Sequence, residues 1–242
     1  MDRGGGTMNI IPAELNAIAG QLQNYDAPGQ TIQLDFDCKL TYEILQWTNT
    51  HPDGLTDDRP IGTVAISRYN KENGAEYQIV EKRNGGGREI YEATVITARD
   101  ERIGESIQNW KLDWYQAETP DKRLLINGTV RETTIEINGT AGKKNLSADT
   151  PISCQWILPL ALVNRTTPMD ETFTTIDELT YCKTDQLLHG PEQIESNGQS
   201  FLSFRHTGQG TLPIHYVFDS QQRPVFVTFT LLSWILRDIE LI

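Results

Sequence analysis

From residue 30 to the C-terminus, apolar and polar side chains alternate one for one, the period of a β-strand that has a single face in a core. Ile32, Leu34 and Phe36 alternate with Gln33 and Asp35, and the run continues towards Trp47. Strands follow over residues 61–69, 77–82 and 90–97. Between them stand Asn70-Lys-Glu-Asn-Gly74 and Asn84-Gly-Gly-Gly87, whose residues accept the backbone of tight hairpin turns. Trp110, Leu112 and Trp114 then share one face while Asn109, Lys111 and Asp113 share the other. Ile135 and Ile137 against Glu132, Thr134 and Glu136 repeat that pattern, and Asn127-Gly128 and Asn138-Gly139 read as further hairpin turns.

Residues 152–163 are apolar but interrupted by Pro159, which fits a short helix, an edge strand or a covering loop. Strands resume over 173–180, 186–195, 201–206 and 212–218. A long last strand is expected from Pro224, with Val225, Val227, Phe229, Leu231 and Ile235 on one face. The connections are too short for helical crossovers, so neighbouring strands are expected to be antiparallel.

A different period marks the N-terminus. Ile11, Leu15, Ile18 and Leu22 form one stripe of an α-helix that Pro12 can open and Pro28-Gly29 follows. Residues 1–29 therefore read as a tail and an amphipathic helix lying on a single β domain of residues 30–242. About a dozen strands in one sheet must curl, close or split into layers. The expected fold is all-β: one large, strongly curved or barrel-like antiparallel sheet, with a two-layer sandwich as the alternative.

The 242 residues, 38% of them hydrophobic, suffice for a sizeable core. Acidic residues outnumber basic ones 33 to 21, a net charge of −12, with no basic cluster, so nucleic acid and anionic membrane surfaces are excluded as partners. The most apolar stretch, residues 225–236, contains Thr228, Thr230 and Ser233 and falls short of the ~20 residues of a membrane helix. No transmembrane segment is expected. No leader pattern is visible at the N-terminus, so the expected location is the periplasm or cell surface if a leader has been removed and the cytoplasm otherwise. Cys38, Cys154 and Cys182 match no metal-binding spacing. Their odd number leaves a free thiol; three small buried strand residues, or one long-range bridge, are the two readings. Glycosylation sequons at Asn127, Asn138, Asn145 and Asn164 would matter only in a eukaryotic secreted protein.

Candidate chemistry is sparse. Neither a nucleophile motif nor a phosphate-binding loop is present, and no cofactor or metal is implied. His206, His215 and Asp219 form the nearest approach to an acid–base group, provided that the two imidazoles meet on neighbouring strands. Asp53, Asp57 and Asp58 lack the spacing of a calcium loop and read as a solvated turn. Asn84-Gly-Gly-Gly-Arg88 could wrap an anion, though its glycines equally serve a hairpin. Trp47, Trp110, Trp114, Trp156 and Tyr216 are large amphipathic groups; converging inside a curved sheet, they would line a pocket for a lipid or another hydrophobic molecule. The competing reading is an ordinary aromatic core.

The C-terminal third runs Phe173-Thr-Thr-Ile-Asp-Glu-Leu179, Gly190-Pro-Glu-Gln-Ile-Glu-Ser-Asn-Gly198, Leu212-Pro-Ile-His-Tyr-Val-Phe-Asp219 and Gln222-Arg-Pro-Val-Phe226 in order. Together with Leu40-Thr-Tyr-Glu43 and Ile61-Gly-Thr-Val-Ala-Ile66, this resembles uncharacterised bacterial envelope protein families. The resemblance implies a curved or barrel-like sheet exported to the periplasm or cell surface, often as a lipoprotein, with no established activity. The lipobox cysteine of the pattern is missing here. The expected function is a non-enzymatic envelope protein that takes a hydrophobic ligand or a protein partner on the concave face of its sheet. A hydrolase or isomerase using His206, His215 and Asp219, and a structural or adhesion module, are the alternatives.

Overall fold

The computed structural model describes residues 25, 27–29, 37–46, 60–84, 87–140, 142–196, 198–229 and 232–242. The predicted helix over 11–22, the strand over 32–36, Trp47 and the Asp53, Asp57, Asp58 turn lie outside the described residues.

The strands are β1 (Cys38–Gln46), β2 (Gly62–Lys71), β3 (Gly74–Arg83), β4 (Glu89–Asp100), β5 (Gly104–Gln116), β6 (Thr119–Arg131), β7 (Thr134–Gly139) and β8 (Gly142–Ser147). After β9 (Ile152–Ser153) and a short helix, α1 (Leu158–Ala161), come β10 (Met169–Asp177), β11 (Tyr181–Ser196), β12 (Gln199–Gly208), β13 (Thr211–Phe218), β14 (Pro224–Thr228) and β15 (Leu232–Leu241). Among the described residues they form one sheet of 15 strands, in the order β8-β7-β6-β5-β4-β3-β2-β1-β15-β14-β13-β12-β11-β10-β9. Two meanders are thus joined where β1 pairs with β15, Ile44 standing opposite Trp234. The sheet is all but wholly antiparallel, and its edges, β8 and β9, do not pair with each other.

The exception to antiparallel order explains the interior. β9 and β10 are parallel, so the chain between them must travel back along the strands. It does so inside the curve of the sheet. Trp156, Ile157, Leu158, Leu160 and Leu162 have no exposed surface and pack with inward residues of both meanders, such as Tyr42, Tyr77, Trp110 and Phe204. Pro159 sits in the first turn of α1, where its missing N–H leaves no bond unmade. Beyond α1, Arg165 Nη1 donates to Glu101 O at 2.8 Å. Gly104, at φ +91°, faces Ala161: a Cβ there would stand 2.2 Å from the Ala161 carbonyl oxygen, so glycine lets plug and wall touch. Each buried Leu or Ile of this plug contributes roughly 1.5–3 kcal/mol. The apolar run around Pro159 thus combines two of the expected readings, a two-residue edge strand followed by a short helix, and both are buried inside the curve and do not cover it from outside.

The wall is sealed by a side chain. Pairing of β5 with β6 stops at Asn109 opposite Thr129, and on the side so vacated the Ile152 N–H donates to Ser106 Oγ at 3.0 Å. Strands β6 to β8 continue as a wing, and every residue of β8 is exposed.

A second apolar layer lies outside. Leu45, Ile194, Phe201, Val217, Val225, Phe226 and Ile235 form a separate buried cluster with Tyr25 and Ala27 against it. The Tyr25 hydroxyl donates to Leu236 O at 2.8 Å.

Two details differ from the sequence expectation. Residues from Pro224 on form two strands, because the chain reverses after Phe229, whose N–H donates to Leu232 O at 2.7 Å. The stripe predicted there is split: Val227 faces inward opposite Trp234, while Ile235 belongs to the outer cluster. Asn127-Gly128 lies within β6 and not at a turn. A Cβ on Gly128 would fall 2.0 Å from the Trp110 ring, so the glycine serves that contact.

Candidate functional site

The last residues of β3 and β10 and the first residues of β11, β13 and β15 meet at one end of the curved sheet. Between them opens a cavity of about 550 Å³. Strand alternation builds its apolar wall: Leu212 and Ile214 are inward residues of β13, and Leu232 and Trp234 of β15. Phe229 completes it, with its ring centroid 4.9 Å from that of Trp234. Leu212 and Tyr181 are 63% and 61% exposed, so the rim itself offers apolar surface to solvent.

The opposite wall is polar. Glu81 is fully buried; its Oε1 accepts from Arg83 Nε at 2.5 Å and its Oε2 from Trp156 Nε1 at 2.7 Å. Arg83 Nη1 lies 2.8 Å from Glu178 Oε1, and the guanidinium carbon is 4.8 Å from the centre of the Tyr91 ring. Burial pushes the Glu81 carboxyl above the usual range, while Arg83 and the Trp156 N–H pull the other way. Lys183 pairs with Asp177 beside this group.

The turn that presents Glu178 carries strain. Glu178 and Leu179 are consecutive non-glycine residues at φ +49° and +56°. Three contacts hold them: the Arg83 ion pair, the Glu178 N–H donating to Gln155 Oε1 at 3.2 Å, and Trp110 Nε1 donating to Leu179 O at 3.0 Å. The plug, through Gln155 and Trp156, thus builds the floor of the mouth.

The sequence-predicted aromatics take other places. Trp110, Trp156 and Tyr216 are buried in the filled core and do not line the cavity. Trp110 and Trp156 nonetheless position it through the bonds just described. Trp114 is partly buried against the core, and its indole N–H and the Tyr216 hydroxyl have no protein partner. Trp47 lies outside the described residues. Trp234 and Phe229 face the cavity, with Tyr181 on its rim; the first two were hidden in the run read as one strand.

The acid–base group is not assembled. Arg205 is opposite His215 and His206 opposite Ile214, so the two imidazoles point to opposite faces of the sheet. His206 is inside, with Nε2 3.1 Å from Gln186 Oε1 and its ring 4.8 Å from that of Phe173. Burial, aided by Lys183, lowers its pKa to about 3. His215 Nδ1 lies 3.2 Å from Ser203 Oγ. Asp219 closes a turn: Oδ1 accepts the Gln221 and Arg223 N–H groups at 2.9 Å, and Oδ2 pairs with Arg223 at 2.6 Å. These are structural contacts.

The three cysteines are all unbridged. Burial raises Cys38 to about 11 and Cys154 to about 12, which keeps both as unreactive thiols. Among the described residues, no group of three His, Cys, Asp or Glu side chains could hold a metal, and no helix is long and apolar enough to cross a membrane.

No protein-family profile matches the sequence, and no curated protein sequence aligns with it significantly. Among solved structures, the chain is similar to a beta-barrel-like protein of domain of unknown function DUF1849 from Brucella abortus. The TM-score is 0.51 at 6% sequence identity, covering 86% of this chain and 98% of that one. At that identity the likeness is one of fold, and the fold is barrel-like.

Proposed function

We propose that the protein is a non-catalytic binding protein of the bacterial envelope, which takes a hydrophobic small molecule or lipid at the mouth of its curved sheet. One observation carries this reading: the cavity of about 550 Å³ at one end of a sheet whose interior, among the described residues, is packed by the chain's own plug. Its size is that of a small-molecule site, and its lining sets aliphatic and aromatic side chains opposite a few fixed polar groups. The envelope location rests on the resemblance described above. The hydrolase or isomerase alternative finds no support in the placement of His206, His215 and Asp219.

The test is native mass spectrometry and solvent extraction of the purified protein, alongside Leu212→Glu. Leu212 is exposed on the rim, so the variant should fold while placing a charge on the apolar wall. Co-purified amphiphile in the wild type and its loss in Leu212→Glu are expected. Equal occupancy in both proteins would place any bound molecule elsewhere.

A further inference from the structure

We infer that the ligand of the mouth cavity carries a neutral, hydrogen-bond-accepting head, of the kind found in a monoacylglycerol, and that free fatty acids are excluded. This rests on the reading of the cavity as a binding site and adds the head-group chemistry.

Charge argues first. Both cations at the polar wall are already engaged, Arg83 by Glu81 and Glu178, and Lys183 by Asp177. Among the described residues at that wall, three carboxylates thus face two cations, and no cation is left to neutralise an incoming anion. A carboxylate head would lose its hydration beside Glu178 and Asp177 without a counter-charge, which is costly.

Unused hydrogen-bonding groups argue second. Gln155 lines the cavity and is 9% exposed; its carbonyl oxygen accepts the Glu178 N–H, and its amide N–H groups have no partner among the described residues. Thr211 also lines the cavity, and its buried hydroxyl has no protein partner. The buried Thr211 hydroxyl left unmatched is unfavourable, and the Gln155 amide opens on the cavity, so an acceptor on the ligand would serve both. An ester carbonyl or a glycerol hydroxyl supplies the acceptors while the acyl chain lies along Leu212, Phe229 and Trp234. The ammonium head of an alkylamine supplies no acceptor for the Gln155 amide.

Isothermal titration of the full chain with 1-monolauroylglycerol, laurate and dodecylamine, each below its micellar concentration, separates the cases. Monolauroylglycerol should bind at least about tenfold more tightly than either charged probe. Thr211→Val, which keeps the side-chain shape, should weaken it by about threefold or more and leave laurate unchanged. Laurate or dodecylamine binding as tightly as monolauroylglycerol, or full affinity in Thr211→Val, would overturn the head-group assignment and leave the cavity reading standing. Failure of all three probes to bind wild type, and equally Leu212→Glu, would overturn the cavity reading itself.

Discussion

Single residues decide how the mouth is held. Gly128 leaves room for the Trp110 ring, and that ring bonds Leu179 O in the strained turn beside Glu178. Gly128→Ala forces ring or strand to move and should cost about 1–3 kcal/mol, seen as a lower urea midpoint. His206 gives a pH signature. Its folded pKa of about 3 lies below the ordinary value, so between those limits the unfolded chain binds the extra proton. The stability due to neutral His206 is complete above about pH 6.5 and falls with pH towards 3, by up to roughly 1.4 kcal/mol per unit. His206→Gln, which cannot take up a proton, should show a flatter acid limb in urea titrations from pH 7 to 4; an unchanged slope would mean that His206 is not the buried neutral group described.

At the scale of elements, the plug and the wing are opposites. Leu160 in α1 has no exposed surface, whereas Leu146 in β8 is 37% exposed. Leu160→Ala should cost about 2–5 kcal/mol through a cavity that the surrounding wall cannot refill. Leu146→Ala should stay within roughly 0.5 kcal/mol. Similar losses at both sites would contradict an internal plug. The meander strands were legible in the sequence because each has one wet face, so period two survives; hairpins at Asn70 to Gly74 and at Asn84 to Gly87 were equally clear. Three things were not legible. Residues 152–163 are surrounded on every side and lose all periodicity. The hairpin after Phe229 was masked because β14 is apolar on both faces, with the outer cluster behind it. Asn127-Gly128 carried a turn signal, but its glycine answers a tertiary contact with Trp110. The candidate site suffered from the same blind spot: strand alternation marks Trp110 as inward, yet says nothing of which inward residues a plug will cover.

For the whole molecule, curvature is what the sheet of 15 strands and its internal segment have in common. The wall bends round the plug, is stitched to itself at Ser106 and Ile152, and leaves a cavity at the end where β13, Phe229 and β15 face Arg83 and Glu178. Its net charge of −12 fits an uncharged ligand better than an anionic one. Occupancy of that end by an amphiphile is tested most directly by a crystal structure of the protein grown with 1-monolauroylglycerol. Continuous density along Leu212, Phe229 and Trp234, with its head within hydrogen-bonding distance of Gln155 and Thr211, is the predicted result; an empty mouth at saturating ligand, or density confined to another surface, would contradict it.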